Sequence, residues 1–526
     1  MSYRAGFLTL LTVLSCIVFG CARTGGDTER TGGSPLNGKE VFNPVRRHIE
    51  KLVADGEIPS MAAAVARSGR ILWEEGFGYS NREDKVQASE DTRYPLASIS
   101  KPFTATALMV LVERGLIRLD DPINNYLGEV SLTARVGNAQ DATIRRAASH
   151  TAGLPLHSHH FYDNEPERPP SFDETLQRYG NIVSEPGARF QYSNLGYGLL
   201  GYIISQVSGM TYADFMGKEV FMPLGLNNTS VGMESPGKAD YAVKYAEDGS
   251  VVPPSVSDSP GAGTVFGSVH DLIRFAMFHL HDVLPGQEEI ISSAAIEEMQ
   301  HPVPGTRARR PWEREGSGYG IGWNISVTSG GLLAVHHDGG IRGVSTVIVL
   351  IPEKEIAIAV LTNTDCSWPD DILMEIVSIL LPEEVKSFAA QSENPEDKPA
   401  FSPDKELIGS WSGVVHTYLE PIPIVIEIRE SAEILVTLAG QESIPLRQVG
   451  YQSDFPLFIN AGGGPFLRGR FSGSLPTDDV IRGNPGILWL EMKLRAGVLS
   501  GSLIAFSHRD NPIGPLTHWL EALRNE

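Results

Sequence analysis

An α+β chain built on an antiparallel sheet, followed by a separate all-β barrel or sandwich domain, is the fold class this sequence predicts. Three observations carry it. After Tyr319 the apolar stretches are separated by turns too short for a crossover, so neighbouring strands must run antiparallel. Between Leu96 and about Leu280, helical patterns alternate with Gly/Pro-rich loops. Beyond residue 404 the hydrophobic period falls to two, as where Ile424, Ile426 and Ile428 alternate with Val425, Glu427 and Arg429.

The chain has 526 residues, 41% hydrophobic and 20% charged, which suits a globular protein of two or more domains. Its net charge is −21, with 64 acidic against 43 basic residues. Such a surface repels phosphate backbones, so no nucleic-acid partner is expected.

The first 21 residues have the form of an export signal. Arg4 gives the positive charge, and Ala5 to Gly20 form an apolar stretch too short for a comfortable transmembrane helix. Val18-Phe19-Gly20-Cys21 resembles a bacterial lipobox with Cys21 as the acylated residue, although Phe19 is bulky for it. A plain signal peptide with an incidental cysteine is the alternative. If Cys16 and Cys21 leave or are lipidated, Cys366 is left alone in the mature chain and no intrachain disulfide is possible. The expectation is an exported protein, periplasmic or at the cell surface, touching membrane only through a lipid anchor.

Residues 22–40 are rich in Gly, Thr and Ser and suit a flexible tether. Val41, Val45, Ile49 and Val53 predict a helix. Met61 to Ala66 and Ile71 to Phe77 predict a hairpin around Ser68-Gly69. Strands follow at Ile321 to Val327, Leu332 to His337, Val344 to Ile351 and Ile356 to Leu361, and Asp370 is expected to cap an apolar helix through Leu381. These place a first domain at 41–388. Residues 389–403, with three prolines and many charges, form a linker, and 404–526 the β domain.

Ser98-Ile99-Ser100-Lys101 fits S-x-x-K. A serine hydroxyl is a weak nucleophile until a base takes its proton, and a lysine three residues along a helix lies on the same face. The spacing recurs at Ser235 to Lys238 and Ser402 to Lys405, but in a Gly/Pro-rich loop and at the end of the linker. Ser98 instead opens the most apolar helix, where the helix N-terminus favours developing negative charge. On this segment alone it could equally be a helix cap. Tyr192-Ser193-Asn194 precedes a helix from Leu195 to Val207. A tyrosine beside a lysine can relay protons, and an asparagine amide can hold a carbonyl. His337-Asp338-Gly339-Gly340 ends a strand at a glycine-rich turn and is the only H-x-G.

The order S-x-x-K, Y-x-N, H-x-G resembles the family of class C serine β-lactamases, penicillin-binding DD-peptidases, and related esterases and D-aminopeptidases. Ser149-His150-Thr151-Ala152-Gly153-Leu154-Pro155, Pro186-Gly187, Asp271-Leu272-Ile273-Arg274-Phe275 and Tyr319-Gly320-Ile321-Gly322-Trp323 extend the likeness over about residues 41 to 388. The resemblance implies a three-layer α/β/α sandwich, helices on both faces of the antiparallel sheet, beside a helical subdomain. It implies Ser98 as nucleophile, with Lys101 and Tyr192 shuttling protons in coupled titrations. The backbone N–H groups of Ser98 and Gly340 would form an oxyanion hole, and Asn194, His337, Asp338, Gly339 and Gly340 would bind substrate. No cofactor or metal is implied.

The sequence departs from the penicillin-recognising members, which carry Lys-Thr-Gly where this chain has His337-Asp338-Gly339. Asp338 would repel a substrate carboxylate, so weak or no β-lactamase activity is expected. Small-molecule esters, amides or D-amino-acid peptides fit better. The alternative is a non-catalytic sensor or partner-binding protein. The pentapeptide of α/β-hydrolases is absent, and His157, His159, His160 and Asp163 lack a metallo-β-lactamase spacing because residue 161 is Phe.

Overall fold

The computed structural model describes residues 39–233, 240–306, 315–328, 330–389, 401–451, 467–483, 485–507 and 514–526. The expected export signal, Cys21, nearly all of the tether, Ser235 and Lys238, and residues 390–400 of the linker lie outside these.

Pro44 in the first turn starts α1 (Asn43–Ala54), which buries Val45, Ile49 and Leu52. The hairpin forms as expected from β1 (Ser60–Arg67) and β2 (Arg70–Asn81). The main elements that follow are the helices α2 (Ser100–Glu113), α3 (Asn194–Ser208) and α4 (Val269–Phe278), then the strand β3 (Asn324–Val327). The chain continues through β4 (Leu333–Ile341), β5 (Val344–Ile351), β6 (Ile356–Thr362) and α5 (Trp368–Leu380).

The strands form one antiparallel sheet in the order β3-β4-β5-β6-β1-β2, with two-residue pairings at each edge. The interior strands β1 and β6 are apolar on both faces because helices cover both. On one face α1 and α5 pack Ile49 and Ile376 against Val347 and Ile358. On the other, α2 and α4 pack Phe103 and Phe275 with Ala64, Ile348 and Ala359. Helix α3 lies against α2 in the helical subdomain. This is the three-layer α/β/α arrangement.

Strand β3 starts at Asn324 rather than at Ile321, and two further boundaries differ from expectation. Helix α5 begins at Trp368, with Asp370 inside the first turn, because Pro369 is accepted there and starts the helix earlier. Strand β4 does not end at His337 but runs to Ile341, since Gly339 and Gly340 still pair with Thr346 and Ser345 of β5.

The second domain contains β7 (Gly409–His416), β8 (Pro421–Ile428), β9 (Ile434–Leu438), β10 (Ile444–Pro445), β11 (Arg447–Tyr451), β12 (Leu467–Phe471), β13 (Pro485–Arg495), β14 (Val498–Ser507) and β15 (Leu516–Arg524). They order as β10-β9-β8-β7-β15-β14-β13-β12-β11. The two edge strands are separated in sequence by Leu446 alone, so the sheet curls back on itself into a nearly closed barrel. Ile422, Ile424, Ile426, Leu488, Leu490 and Met492 fill its interior. Against the first domain, Thr517 Oγ1 donates to Leu156 O at 2.5 Å and the Ser158 amide donates to Pro515 O at 2.9 Å.

Candidate active site

Ser98 does not open α2 itself. It sits in a 3₁₀ turn, Ala97–Ile99, immediately before it. Ala97 holds φ at +48°, a left-handed conformation that an L side chain adopts only under constraint. The constraint is β4: a Cβ on Gly339 would lie 2.3 Å from Leu96 O, so glycine alone lets the strand approach this turn. Because β3 pairs with β4 only as far as His336, the stretch from His337 onward is free to face the serine turn.

The side chain of Lys101 is wholly buried, its Nζ 3.1 Å from Ser98 Oγ and 2.8 Å from Ala262 O. The ammonium also lies over the Tyr192 ring, 4.8 Å from its centroid. No carboxylate oxygen among the described residues forms an ion pair with it. Burial therefore dominates and lowers its pKa to about 7, against a smaller upward pull from the Asp338 charge. Tyr192 is hydrogen-bonded to Ser98, and burial holds its hydroxyl well above the ordinary range, so it keeps its proton. A serine hydroxyl thus lies between an amine poised at neutral pH and a protonated phenol. Such a set can take up and return a proton.

A row of rings links this group to β4. His150 stands 4.3 Å from Tyr192 and 4.7 Å from Tyr319 between centroids, and Tyr319 hydrogen-bonds His337 Nε2 at 3.0 Å. His337 Nδ1 lies 2.6 Å from the carbonyl of Asp338. A carbonyl only accepts, so Nδ1 carries the proton and Nε2 accepts from Tyr319. Burial, then the Lys101 charge, pushes His337 down to about 3, so the ring is neutral. His150 is likewise held well below its usual range, first by burial and then by Lys101. Alternation along β4 puts the Asp338 side chain on the face opposite His337, toward the start of α5. There Asp370 is pushed up to about 8 by burial and by the charges of Asp338 and Asp371.

Asn194 begins α3, where Ser193 caps the helix by accepting from the Gly196 amide at 2.9 Å. The Asn194 amide has no hydrogen-bond partner among the described residues, two positions from Tyr192. The structure therefore gathers Ser98, Lys101 and Tyr192 into direct contact, with Asn194 two positions along the chain from Tyr192 and Gly339 of β4 packed against the Ser98 turn. Ser402 and Lys405, by contrast, are exposed, Ser402 in an irregular segment and Lys405 at the start of the turn that follows. His157 and His159 are buried, and His157 Nε2 pairs with buried Asp258 at 2.7 Å. The sequence reasoning assigned no role to His150, Tyr319 or the Ala262 carbonyl. The first two stood inside segments already singled out, but only the fold brings their rings together.

This cleft, between an antiparallel sheet and a helical subdomain, is that of a serine hydrolase of the β-lactamase type. The Beta-lactamase family model matches residues 45–376, and the chain belongs to that family. Penicillin-binding protein 4* of Bacillus subtilis is 30% identical over 430 residues, covering 76% of this chain and 89% of that protein. The octameric penicillin-binding protein homologue from Pyrococcus abyssi superposes with a TM-score of 0.56 at 24% identity, covering 91% of this chain and 99% of the other. A class C β-lactamase from Rhodobacter sphaeroides gives 0.52 at 23%, covering 65% and 99%. These two structures support the fold alone. The lower coverage of the second is what a chain with an additional domain should give.

Proposed function

We propose that this protein is an exported serine hydrolase working through an acyl-enzyme on Ser98, acting on esters, amides or D-amino-acid peptides with weak or no β-lactamase activity. The observation that carries the reading is the buried, carboxylate-free Lys101 amine 3.1 Å from Ser98 Oγ. In its neutral form the amine accepts the Ser98 proton as the oxygen attacks the substrate carbonyl. The backbone N–H groups of Ser98 and Gly340 stabilise the oxyanion. Tyr192, protonated at rest, donates its proton to the leaving group and recovers one from the Lys101 ammonium. Asn194 and the β4 edge position the substrate, and water then releases the acyl group.

The substrate preference rests on charge. The neutral His337 supplies no cation where a penicillin carboxylate would bind, and Asp338 adds a negative field. The N-terminal segment through Cys21 supports export, and cell fractionation of wild type and Cys21→Ser tests the lipid anchor.

A fluorophosphonate probe with intact-mass readout tests the chemistry. One adduct is expected on wild type and none on Ser98→Ala. Absence on wild type, or the same adduct on the variant, overturns the acyl-enzyme. A panel of p-nitrophenyl esters, D-aminoacyl anilides and nitrocefin tests the substrate, and turnover of nitrocefin as fast as the esters overturns that part.

A further inference from the structure

Strand β13 alternates strictly. Leu488, Leu490 and Met492 fill the barrel interior, so Glu491 must project from its outer face. An outward glutamate belongs in water, yet Glu491 is 4% exposed. What covers it is the first domain. Glu491 Oε1 lies 2.5 Å from Arg189 Nη2, and Oε2 lies 2.6 Å from Nη2 of Arg468 on β12. All three side chains are nearly inaccessible.

Arg189 stands three residues before Tyr192. The Nη2 that meets Glu491 also donates to Gln191 Oε1 at 2.9 Å, and Ser184 Oγ donates to the same oxygen at 2.7 Å. The Gln191 amide donates to the carbonyl of His150 at 2.7 Å, and the Ser193 amide to His150 Nδ1 at 3.1 Å. A continuous set of contacts, an ion pair followed by hydrogen bonds, thus runs from the barrel wall to both residues flanking Tyr192 and to the ring packed against it. Thr517 and Pro515 fasten the same 150–158 loop from β15 and the residue preceding it.

Stability alone is a weak reason for such a group. A buried ion cluster can usually be replaced by apolar side chains at no net cost, whereas removing one member leaves uncompensated charge. Here Glu491 is the single carboxylate between two guanidiniums. What the cluster supplies that apolar packing cannot is directional contact, a fixed place for Arg189 and thereby for Gln191.

We infer that the C-terminal barrel is a working part of the active site, with Glu491 a positioning residue that fixes the Tyr192 segment through Arg189 and Gln191. The inference rests on the acyl-enzyme reading for its catalytic consequence, but its structural half stands independently. The barrel is then neither an inert appendage nor only a cover over the cleft.

The test uses the full chain and two readouts, amide hydrogen exchange of peptides spanning 149–155 and 186–197, and the rate of fluorophosphonate labelling. In Glu491→Gln both peptides should exchange faster and labelling should slow at least 10-fold, while Glu491→Asp recovers part of each. The triple variant Arg189→Met, Glu491→Leu, Arg468→Met should recover the melting temperature but not the labelling rate, which separates positioning from folding. Arg429→Ala, an exposed change elsewhere on the barrel, should move neither readout. Unchanged exchange at 186–197 in Glu491→Gln overturns the inference. So does wild-type labelling in the folded triple variant. A wild type that is never labelled instead removes the acyl-enzyme reading, and the exchange data still decide whether the barrel holds the segment.

Discussion

Lys101 and Arg189 are both cations taken out of water, and the two regions that bury them treat the charge in opposite ways. In the cleft, Lys101 meets a carbonyl, a hydroxyl and the face of an aromatic ring, but no carboxylate at ion-pair distance. At the domain junction, Arg189 meets Glu491 at 2.5 Å. Burial without a partner moves a pKa into the range where the group can act as a base. Burial with a partner keeps the charge and fixes a position. The molecule uses the first to make a reactive serine and the second to hold the loop carrying its tyrosine.

The largest expected effect comes from removing the unpaired cation. Lys101→Met should lower fluorophosphonate labelling by about 10³-fold or more, since the serine loses its base. The same change should raise stability near neutral pH. Lys101 titrates at about 7 in the folded chain and near 10.4 when unfolded, so between those values the unfolded state binds more protons and wild-type stability rises with pH. The gain of Lys101→Met is therefore greatest below pH 7, on the order of 4 kcal/mol, and fades toward pH 10. Thermal melts across that range check it. An equal gain at all pH values would mean that the lysine is not depressed. Labelling of wild type should rise through pH 7 for the same reason.

The paired region should show the opposite dependence. Burial pushes Glu491 up, but the guanidiniums of Arg189 and Arg468 overcome it and hold it at about 2. A depressed carboxylate stabilises the fold above its unfolded pKa, near 4.3, and that contribution is lost as pH falls toward 2. Wild type should lose about 3 kcal/mol through this group over that window. Acid unfolding of Glu491→Gln, already destabilised at pH 7, should lack that increment. Identical acid slopes would separate Glu491 from the junction's charge balance.

These two regions were unequally legible in the sequence. Ser98, Lys101 and Tyr192 could be singled out because each carries chemistry at a defined spacing on or near a helix start, and the order of the three motifs excluded the competing S-x-x-K pairs. The sheet was legible because short turns force antiparallel pairing. Arg189 and Glu491 were not, since they are 302 positions apart and each has the local pattern of a solvated surface charge. Only docking of the two domains turns the outer face of β13 into an interior. Gly339 falls between these cases. It was flagged as part of a motif, but its need to be glycine follows from the approach of Leu96 O. Gly339→Ala should destabilise the chain by about 1–3 kcal/mol and slow labelling, because the strand must retreat from the Ser98 turn.

The smallest effect concerns the substrate carboxylate. His337 is neutral because it is buried near Lys101, and its Nδ1 proton is committed to the Asp338 carbonyl. His337→Lys would place a cation facing the cleft, but the Asp338 charge that already reaches Lys101 would offset part of its field. The substitution also removes the hydrogen bond to Tyr319. Nitrocefin acylation should therefore rise by less than about 10-fold, the scale of a partly compensated charge contact near 1 kcal/mol, while p-nitrophenyl ester turnover falls slightly. Combining it with Asp338→Thr should raise nitrocefin acylation further than either change alone, because the second substitution removes the opposing charge. If Asp338→Thr adds nothing, the aspartate, directed toward α5 and away from His337, does not govern which acyl donors the cleft accepts.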